Sequence, residues 1–311
     1  MTADRGATTA PVEAAPAKVN LYLHVLGRRA DGYHLLDSLV VFTEVHDTLT
    51  VAPAATLSLS VRGPLAPALA VDGATEDNLV LRAAREFGLW AGVAGGARMT
   101  LLKRIPVAAG LGGGSSDAAA ALRALSRLWG LSPSPAALAG LALDLGADVP
   151  VCLDRIARRV SGIGQNLAPA PALDGHLVLA NPRLPLATGA VFAGLGGAFG
   201  PADPMTAAPA APGDLGAMLA RRRNDLERPA IRLVPAIAGV LGALESLPGC
   251  RLARMSGSGP TCFGLFDEPG DAERGAATLA RAHPDWWLVA TPIVSDAAVL
   301  ASVAENGPDA P

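Results

Sequence analysis

Cysteine is scarce in this sequence, and long apolar runs are missing. Three of the 311 residues are cysteines, and they show no C-x-x-C spacing, so we expect neither a disulfide framework nor a zinc site. No run of about 18 apolar residues occurs, so we predict no membrane-spanning segment. The first twenty residues lack a basic start followed by an apolar core, so we expect no secretory signal. These absences favour a cytoplasmic protein.

Charge is also sparse. Only 17% of the residues are charged, and the formal net charge is −3. Such a chain is poorly suited to nucleic acid or an anionic membrane surface as its main partner. Half of the residues are apolar, which is ample for a buried core. The length predicts one large domain or two medium ones.

Strand and helix patterns follow one another without strict alternation, and we find no internal repeat. We therefore predict an α+β fold of two packed halves, with domains over 15–160 and 161–302. Tails are expected at 1–14 and 303–311, and an exposed loop at 196–213. The strands are predicted over 18–26, 39–51, 56–61, 97–102, 176–180, 251–256, 261–266 and 286–291. The helices are predicted over 78–89 (with Asp77 available as its N-cap), 117–129, 135–145, 231–247 and 271–283.

A glycine-rich segment precedes one of these helices. Residues 104–121 read R-I-P-V-A-A-G-L-G-G-G-S-S-D-A-A-A-A. Glycines let the backbone approach an anion, and the first amides of a helix have no intrahelical partners, so the segment can hold phosphate. The simpler alternative is a tight turn with a Ser or Asp N-cap. The segment lacks the lysine of G-x-x-x-x-G-K-S/T and misses the G-x-G-x-x-G spacing, and the chain has no H-R-D or D-F-G triplet.

Two more segments have the composition of a functional site. Residues 255–261, M-S-G-S-G-P-T, form a second glycine-serine turn between two predicted strands, and a plain hairpin turn is the simpler interpretation. Residues 145–151, L-G-A-D-V-P-V, place Asp148 among small and apolar residues, where a carboxylate needs a partner. Asp148 either caps a backbone amide or acts on a substrate hydroxyl.

These segments, together with A-P-A-K-V-N-L-Y-L-H-V-L-G-R-R-A-D-G-Y-H near the start, resemble the GHMP kinase family from about residue 15 to about 294. The resemblance implies two α+β lobes with ATP and substrate in the cleft between them. It implies transfer of the ATP γ-phosphoryl group to the 2-hydroxyl of a cytidine-diphosphate-linked methylerythritol, with Mg²⁺ present, on the non-mevalonate route to isoprenoids. The partner is then a small molecule, and the protein a monomer or homodimer.

The resemblance also assigns roles to residues. Lys18 and Asp148 match the catalytic pair. Tyr33 and His34 match the residues that hold the cytosine ring, while Asn20 and Thr188 match further substrate contacts. No metal site built from protein ligands alone is implied. The ATP site is expected to include Pro106, Gly110, Leu111, Gly112, Gly113, Gly114, Ser115 and Ser116, with Lys103 and Asn78 beside the nucleotide.

Two other functions compete with this one. A GHMP kinase acting on homoserine or mevalonate would share the phosphate loop, but the G-Y-H segment argues against it. A nucleotide-binding regulator without catalysis would also share the loop, but the presence of both Lys18 and Asp148 argues against that.

Overall fold

The computed structural model describes residues 10–70, 78–197, 199–211, 213–294 and 297–300. Its strands and helices are mixed along the chain, which confirms the prediction of an α+β fold. Within the described residues, no helix is long and apolar enough to cross a membrane.

The described strands are β1 (Val12–Arg28), β2 (His34–Ala54), β3 (Ser58–Arg62), β4 (Gly96–Leu102), β5 (Arg158–Gly162), β6 (Asn166–Pro169), β7 (His176–Asn181), β8 (Leu252–Met255), β9 (Cys262–Phe266) and β10 (Trp287–Val294). They belong to a sheet in which β2 pairs with four others, namely β1, β4, β5 and β10. The main path of the sheet is β3-β4-β2-β10-β7-β9-β8, and every ladder is antiparallel except that of β3 with β4.

The described helices fall into two groups along the chain. The first group lies in the first half of the chain and the second in the second half. They are α1 (Ala66–Ala70), α2 (Leu79–Ala91), α3 (Gly113–Leu128), α4 (Pro135–Leu145) and α5 (Val149–Asp154), then α6 (Thr188–Ala193), α7 (Asp214–Ala220), α8 (Glu227–Leu233), α9 (Ala236–Glu245) and α10 (Pro269–Ala282).

Helix α3 is the element that positions the glycine-rich segment. It packs against β1 and β2 through alanines 118–121, which are fully buried. Their short side chains let the helix lie close to the sheet, while Leu122 and Leu125 fill the core around Phe42 and Phe87. A second core lies between β7–β9 and helices α8–α10, and includes Val178, Val240 and Phe266.

Several predicted boundaries were wrong. Residues 12–14 were expected in a tail, yet they extend β1 because Ala14 finds a buried place against β2. The predicted N-cap Asp77 and the predicted tail 303–311 lie outside the described residues, and Asn78 caps α2. The division between the two domains was predicted at residue 160, which falls inside β5. The division itself stays a prediction.

The helix predicted over 231–247 is in fact two helices, α8 and α9. Val234 lies between them with φ −133° and ψ 85°. It precedes Pro235, and the proline ring disfavours helical backbone in the residue before it. The apolar spacing runs across this break, which is why periodicity alone predicts one helix.

Candidate active site

Lys18 and Asp148 lie in direct contact. Lys18 is on β1 and Asp148 on the turn before α5, 130 residues later, yet Lys18 Nζ donates to Asp148 Oδ2 over 2.8 Å. The Lys18 side chain is 5% exposed, whereas that of Asp148 is 47% exposed. Asp148 occupies the N-cap position of α5 but makes no side-chain cap hydrogen bond. The Asp148 carboxylate therefore binds Lys18 and is about half exposed. The alternative in which it caps a backbone amide is wrong.

The glycine-rich segment forms a loop that leads into α3. Gly112 is the N-cap residue, in left-handed backbone with φ 62°, and no side chain caps the helix. Ser115, Ser116 and Asp117 lie within the helix, so the alternative of a Ser or Asp cap is wrong. The first amides of α3 are consequently not covered by a side-chain cap, which leaves them able to donate to an anion.

This loop is fastened to the Lys18 strand. The Lys18 backbone amide donates to Leu111 O over 2.8 Å. A Cβ added at Gly112 would lie 3.0 Å from Lys18 Cε. Only a glycine lets the loop pass this close to the lysine side chain, so the helix N-terminus and the Lys18–Asp148 pair form one site.

The second glycine-serine segment, residues 256–261, joins β8 to β9 and also contacts this loop. Ser256 Oγ donates to Gly110 O over 2.9 Å, and the Thr261 amide donates to Ala109 O over 3.2 Å. The segment is therefore a hairpin turn, as the simpler interpretation had it, but it is also the support on which the phosphate loop rests.

Asn20 lies where these parts meet. Its backbone amide donates to Ser256 Oγ over 3.1 Å, and its Nδ2 donates to Ser38 Oγ over 2.8 Å. Its Oδ1 is buried and has no hydrogen-bond partner among the described residues. A buried acceptor without a partner is costly, and the hydrogen-bonding capacity of this oxygen is unused among the described residues.

The remaining predicted substrate residues lie around α6. Thr188 begins the helix, and its Oγ1 lies 2.8 Å from Ser258 Oγ. One turn later, the Phe192 ring stacks on His34, with the ring centroids 4.9 Å apart. Burial and the nearby Arg28 lower the pKa of His34, which keeps its imidazole neutral near pH 7. Tyr33 lies beside it on the β1–β2 turn with its side chain 57% exposed.

Asn78 and Lys103 have structural partners of their own. Asn78 Oδ1 accepts from the Val80 amide over 2.9 Å and caps α2. A Cβ at Gly114 would lie 3.5 Å from Leu79, so the start of α2 borders the phosphate loop. Lys103 is buried beneath the loop and binds the carboxylates of Asp47 and Asp117.

Several residues of the site escaped the sequence analysis. Phe192 belongs to A-T-G-A-V-F, four positions after Thr188, and helical spacing from that threonine was a signal for it. No sequence pattern pointed to Asn224. Its Nδ2 donates to Met255 O and to Gly257 O, both over 2.8 Å, and these bonds hold the second glycine-serine segment in place. Cys152 is not a candidate nucleophile, because burial raises the pKa of its thiol to about 12.

Profiles of known protein families match two parts of the chain. The family profile of the GHMP kinases N terminal domain matches residues 78–154, and that of the GHMP kinases C terminal region matches residues 207–285. The first match contains the phosphate loop and Asp148, and the second contains the segment that supports the loop.

Individual proteins are similar over nearly the whole chain. A 4-diphosphocytidyl-2-C-methyl-D-erythritol kinase of Rhodospirillum rubrum is 52% identical, covering 96% of this chain and 97% of its own. One of Paramagnetospirillum magneticum is 53% identical, covering 90% and 98%. A crystal structure of a 4-(cytidine 5'-diphospho)-2C-methyl-D-erythritol kinase matches with a TM-score of 0.74 at 38% identity, covering 91% and 100%. A homoserine kinase structure from Cytophaga hutchinsonii, at 16% identity and a TM-score of 0.70, covers 95% and 98% and shares the fold.

Proposed function

Because this chain belongs to the GHMP kinase family, and within it to the 4-diphosphocytidyl-2-C-methyl-D-erythritol kinases, we propose that Lys18 and Asp148 are its catalytic pair. The protein is an ATP-dependent kinase. It phosphorylates the 2-hydroxyl of 4-diphosphocytidyl-2-C-methyl-D-erythritol, giving the 2-phosphate and ADP, in the non-mevalonate pathway to isoprenoid precursors. The observation that carries the residue roles is the 2.8 Å contact between Lys18 and Asp148 beside the phosphate loop.

The two residues act on opposite sides of the forming bond: Asp148 acts on the attacking hydroxyl, and Lys18 acts on the γ-phosphoryl group. The half-exposed Asp148 carboxylate accepts the proton of the 2-hydroxyl as its oxygen attacks the γ-phosphorus. The bond from that phosphorus to the β–γ bridging oxygen breaks, and ADP leaves with the electron pair. An ammonium carries three donors, and one of those of Lys18 is used by Asp148. The others stabilise negative charge on the phosphoryl oxygens during transfer.

The loop and the aromatic residues supply the positioning. The first amides of α3, from Gly113 to Ser115, bind the ATP phosphates together with the positive end of the helix dipole. Asn20 Oδ1 orients a hydroxyl of the substrate. Tyr33, the neutral His34 and Phe192 hold the cytosine by stacking and hydrogen bonding, and Thr188 contacts the substrate between the two regions.

The described residues fit a Mg²⁺ ion that is held mainly by ATP. They contain no group of three or more His, Cys, Asp or Glu side chains that could hold a metal. Mg²⁺ in kinases is bound through phosphates, waters and one or two protein oxygens. Ser116 Oγ is buried without a hydrogen-bond partner at the start of α3 and would supply such an oxygen. When bound, the ion neutralises charge on the phosphates.

We further propose that the enzyme acts as a monomer or a homodimer. The polar substrates, ATP and a cytidine diphosphate ester, fit a cytoplasmic location and do not call for a nucleic-acid partner.

Asp148→Asn tests the catalytic pair. We expect kcat to fall by about 10²- to 10⁴-fold, because the base is lost while the shape is retained. ADP release with the cytidyl substrate measures it, and nucleotide binding is expected to stay close to that of the wild type. Asp144→Asn, four residues away on the exposed side of α4, is the matched control. Full activity of the Asp148 variant would refute the assignment, as would an equal loss in the control.

A further inference from the structure

Three charged side chains form a buried cluster behind the phosphate loop. Lys103 Nζ lies 2.5 Å from Asp47 Oδ2 and 2.7 Å from Asp117 Oδ2. The side chains of Lys103, Asp47 and Asp117 are 3%, 0% and 5% exposed. They come from the end of β4, from β2 and from the second turn of α3, so the cluster joins three elements around the loop.

The contacts of this cluster reach both ends of the loop. Asp47 Oδ1 accepts from the Arg104 amide over 2.5 Å and from the Ile105 amide over 2.9 Å, at the residues where the loop begins. Asp117 is the fifth residue of α3, just beyond the glycines where the loop ends. A Cβ at Gly113 would lie 3.2 Å from Lys103 Nζ, so the ammonium lies directly beneath the helix start.

Such a cluster is an expensive way to stabilise a fold. Removing three charges from water carries a large desolvation penalty, and apolar residues of similar volume often stabilise a fold as well or better. Hydrogen bonds between charged groups provide directionality instead, because they fix the positions of donors and acceptors to within a few tenths of an ångström. The charge balance also matters here, because two carboxylates face one ammonium behind a loop that must receive an anion. Burial and the nearby Asp47 raise the pKa of Asp117 to about 8, which reduces that negative excess at neutral pH.

We propose that Asp47, Lys103 and Asp117 are positioning residues that hold the phosphate loop in its ATP-binding conformation, with Lys103 acting through the loop and not by touching phosphate. This inference rests on the proposed function of the loop. Two of the three ammonium donors of Lys103 bind carboxylates, and its side chain is only 3% exposed, so carboxylates are its main partners. The cluster sets where the amides of α3 point, and thereby the affinity for ATP.

The central test is Asp47→Asn. The side-chain amide of this variant would present either an N–H group or a weaker neutral acceptor to Lys103. The backbone amides of Arg104 and Ile105, where the loop begins, would lose their hydrogen bonds to a charged acceptor. We expect the KM for ATP and the Kd for ADP to rise by about 10- to 100-fold, since a misplacement of about 1 Å can cost about 10²-fold. The KM for the cytidyl substrate should change little, because Asn20, Thr188 and His34 do not contact the cluster. If the cluster only stabilised the fold, Asp47→Asn would change the KM for ATP and the KM for the cytidyl substrate to the same extent.

Asp37→Asn is the matched control. Asp37 is a buried carboxylate on the same strand, bonded to His24 and to the Asp203 amide, but it does not contact the phosphate loop. We expect it to lower stability without raising the KM for ATP. If both variants raise that KM equally, or if Asp47→Asn raises both KM values together, the effect is general loss of structure and the proposal fails.

Asp117→Ala guards against an Asp47 variant that does not fold. Alanine suits the interior of α3, and Lys103 keeps a neutral pair with Asp47. A Kd for ADP raised about 3- to 10-fold, measured by calorimetry on the folded variant, is expected. An unchanged Kd would overturn the proposal. Calorimetry needs no turnover, so a wild type that binds ADP but does not phosphorylate the cytidyl substrate would refute the proposed function and leave this inference standing.

Discussion

Replacing Gly110 by alanine would separate the phosphate loop from the segment that supports it. Gly110 has φ +73°, and an added Cβ would lie 2.3 Å from Ser256 O and 2.7 Å from Gly259 N. Left-handed backbone costs a non-glycine residue about 1–2 kcal/mol. The clash adds to this, because the neighbour is backbone and an ordinary contact begins near 3.4 Å.

The displacement sets the size of the effect. Moving from 2.3 Å to 3.4 Å requires the loop and the Ser256 segment to part by about 1 Å, and a shift of that size can cost about 10²-fold in rate. The same shift breaks the hydrogen bond from Ser256 Oγ to Gly110 O. We therefore expect Gly110→Ala to lower kcat/KM for ATP by about 100-fold, beyond any loss of stability.

Gly92→Ala separates strain from clash. Gly92 has a similar φ, +63°, at the C-terminal end of α2, and nothing lies within 4 Å of its added Cβ. It should lose about 1 kcal/mol in urea unfolding and keep wild-type turnover in the ADP-release assay. The reasoning is refuted if Gly110→Ala retains near wild-type kcat/KM, or if Gly92→Ala loses as much activity.

Two further predictions concern the aromatic pocket and the buried cluster. Phe192→Ala should raise the KM for the cytidyl substrate by about 10-fold through lost stacking while leaving the KM for ATP unchanged; equal changes in both would contradict the stacking role. Burial and the nearby Asp47 raise the pKa of Asp117, so above the ordinary pKa of an aspartate the folded chain binds a proton there that the unfolded chain has lost. Its unfolding free energy should therefore fall with rising pH, by up to about 1.4 kcal/mol per pH unit. Urea unfolding at pH 5.5 and 7.5 checks this, and Asp117→Asn should remove that part of the slope; an identical slope in both proteins would exclude it.

Local pattern was enough to predict much of the scaffold. The α4 bounds are confirmed, because Ser134 caps the helix, Pro135 suits its first turn and Gly146 follows its end. The start of α3 was predicted four residues late, since glycines have poor helix propensity. Packing of alanines 118–121 on β1 and β2 outweighs that propensity and draws Gly113 and Gly114 into the first turn. Helix α6 was missed because six residues are too few to show a period.

The site was predicted only where a motif carried it. Nothing in the residues around Lys18 points to Asp148, 130 positions away, and the resemblance alone joined them. The role of Asp47 could not be predicted for the same reason. In the sequence it is one polar residue in a strand, and its partner Lys103 is 56 positions away. Hydrogen bonds between distant segments depend on topology, which local periodicity does not encode.

These long-range contacts explain how one chain couples two substrates. Loop residues Ala109 and Gly110 bind Thr261 and Ser256 of the β8–β9 turn, and Leu111 binds Lys18 of β1. Ser256 Oγ also accepts from the amide of Asn20, whose buried Oδ1 has no hydrogen-bond partner among the described residues. The phosphate loop and the proposed hydroxyl-binding residue Asn20 are thus linked through Ser256 and are expected to move together. In-line transfer needs that fixed relation between donor and acceptor, and four contacts of about 3 Å supply it without any covalent link.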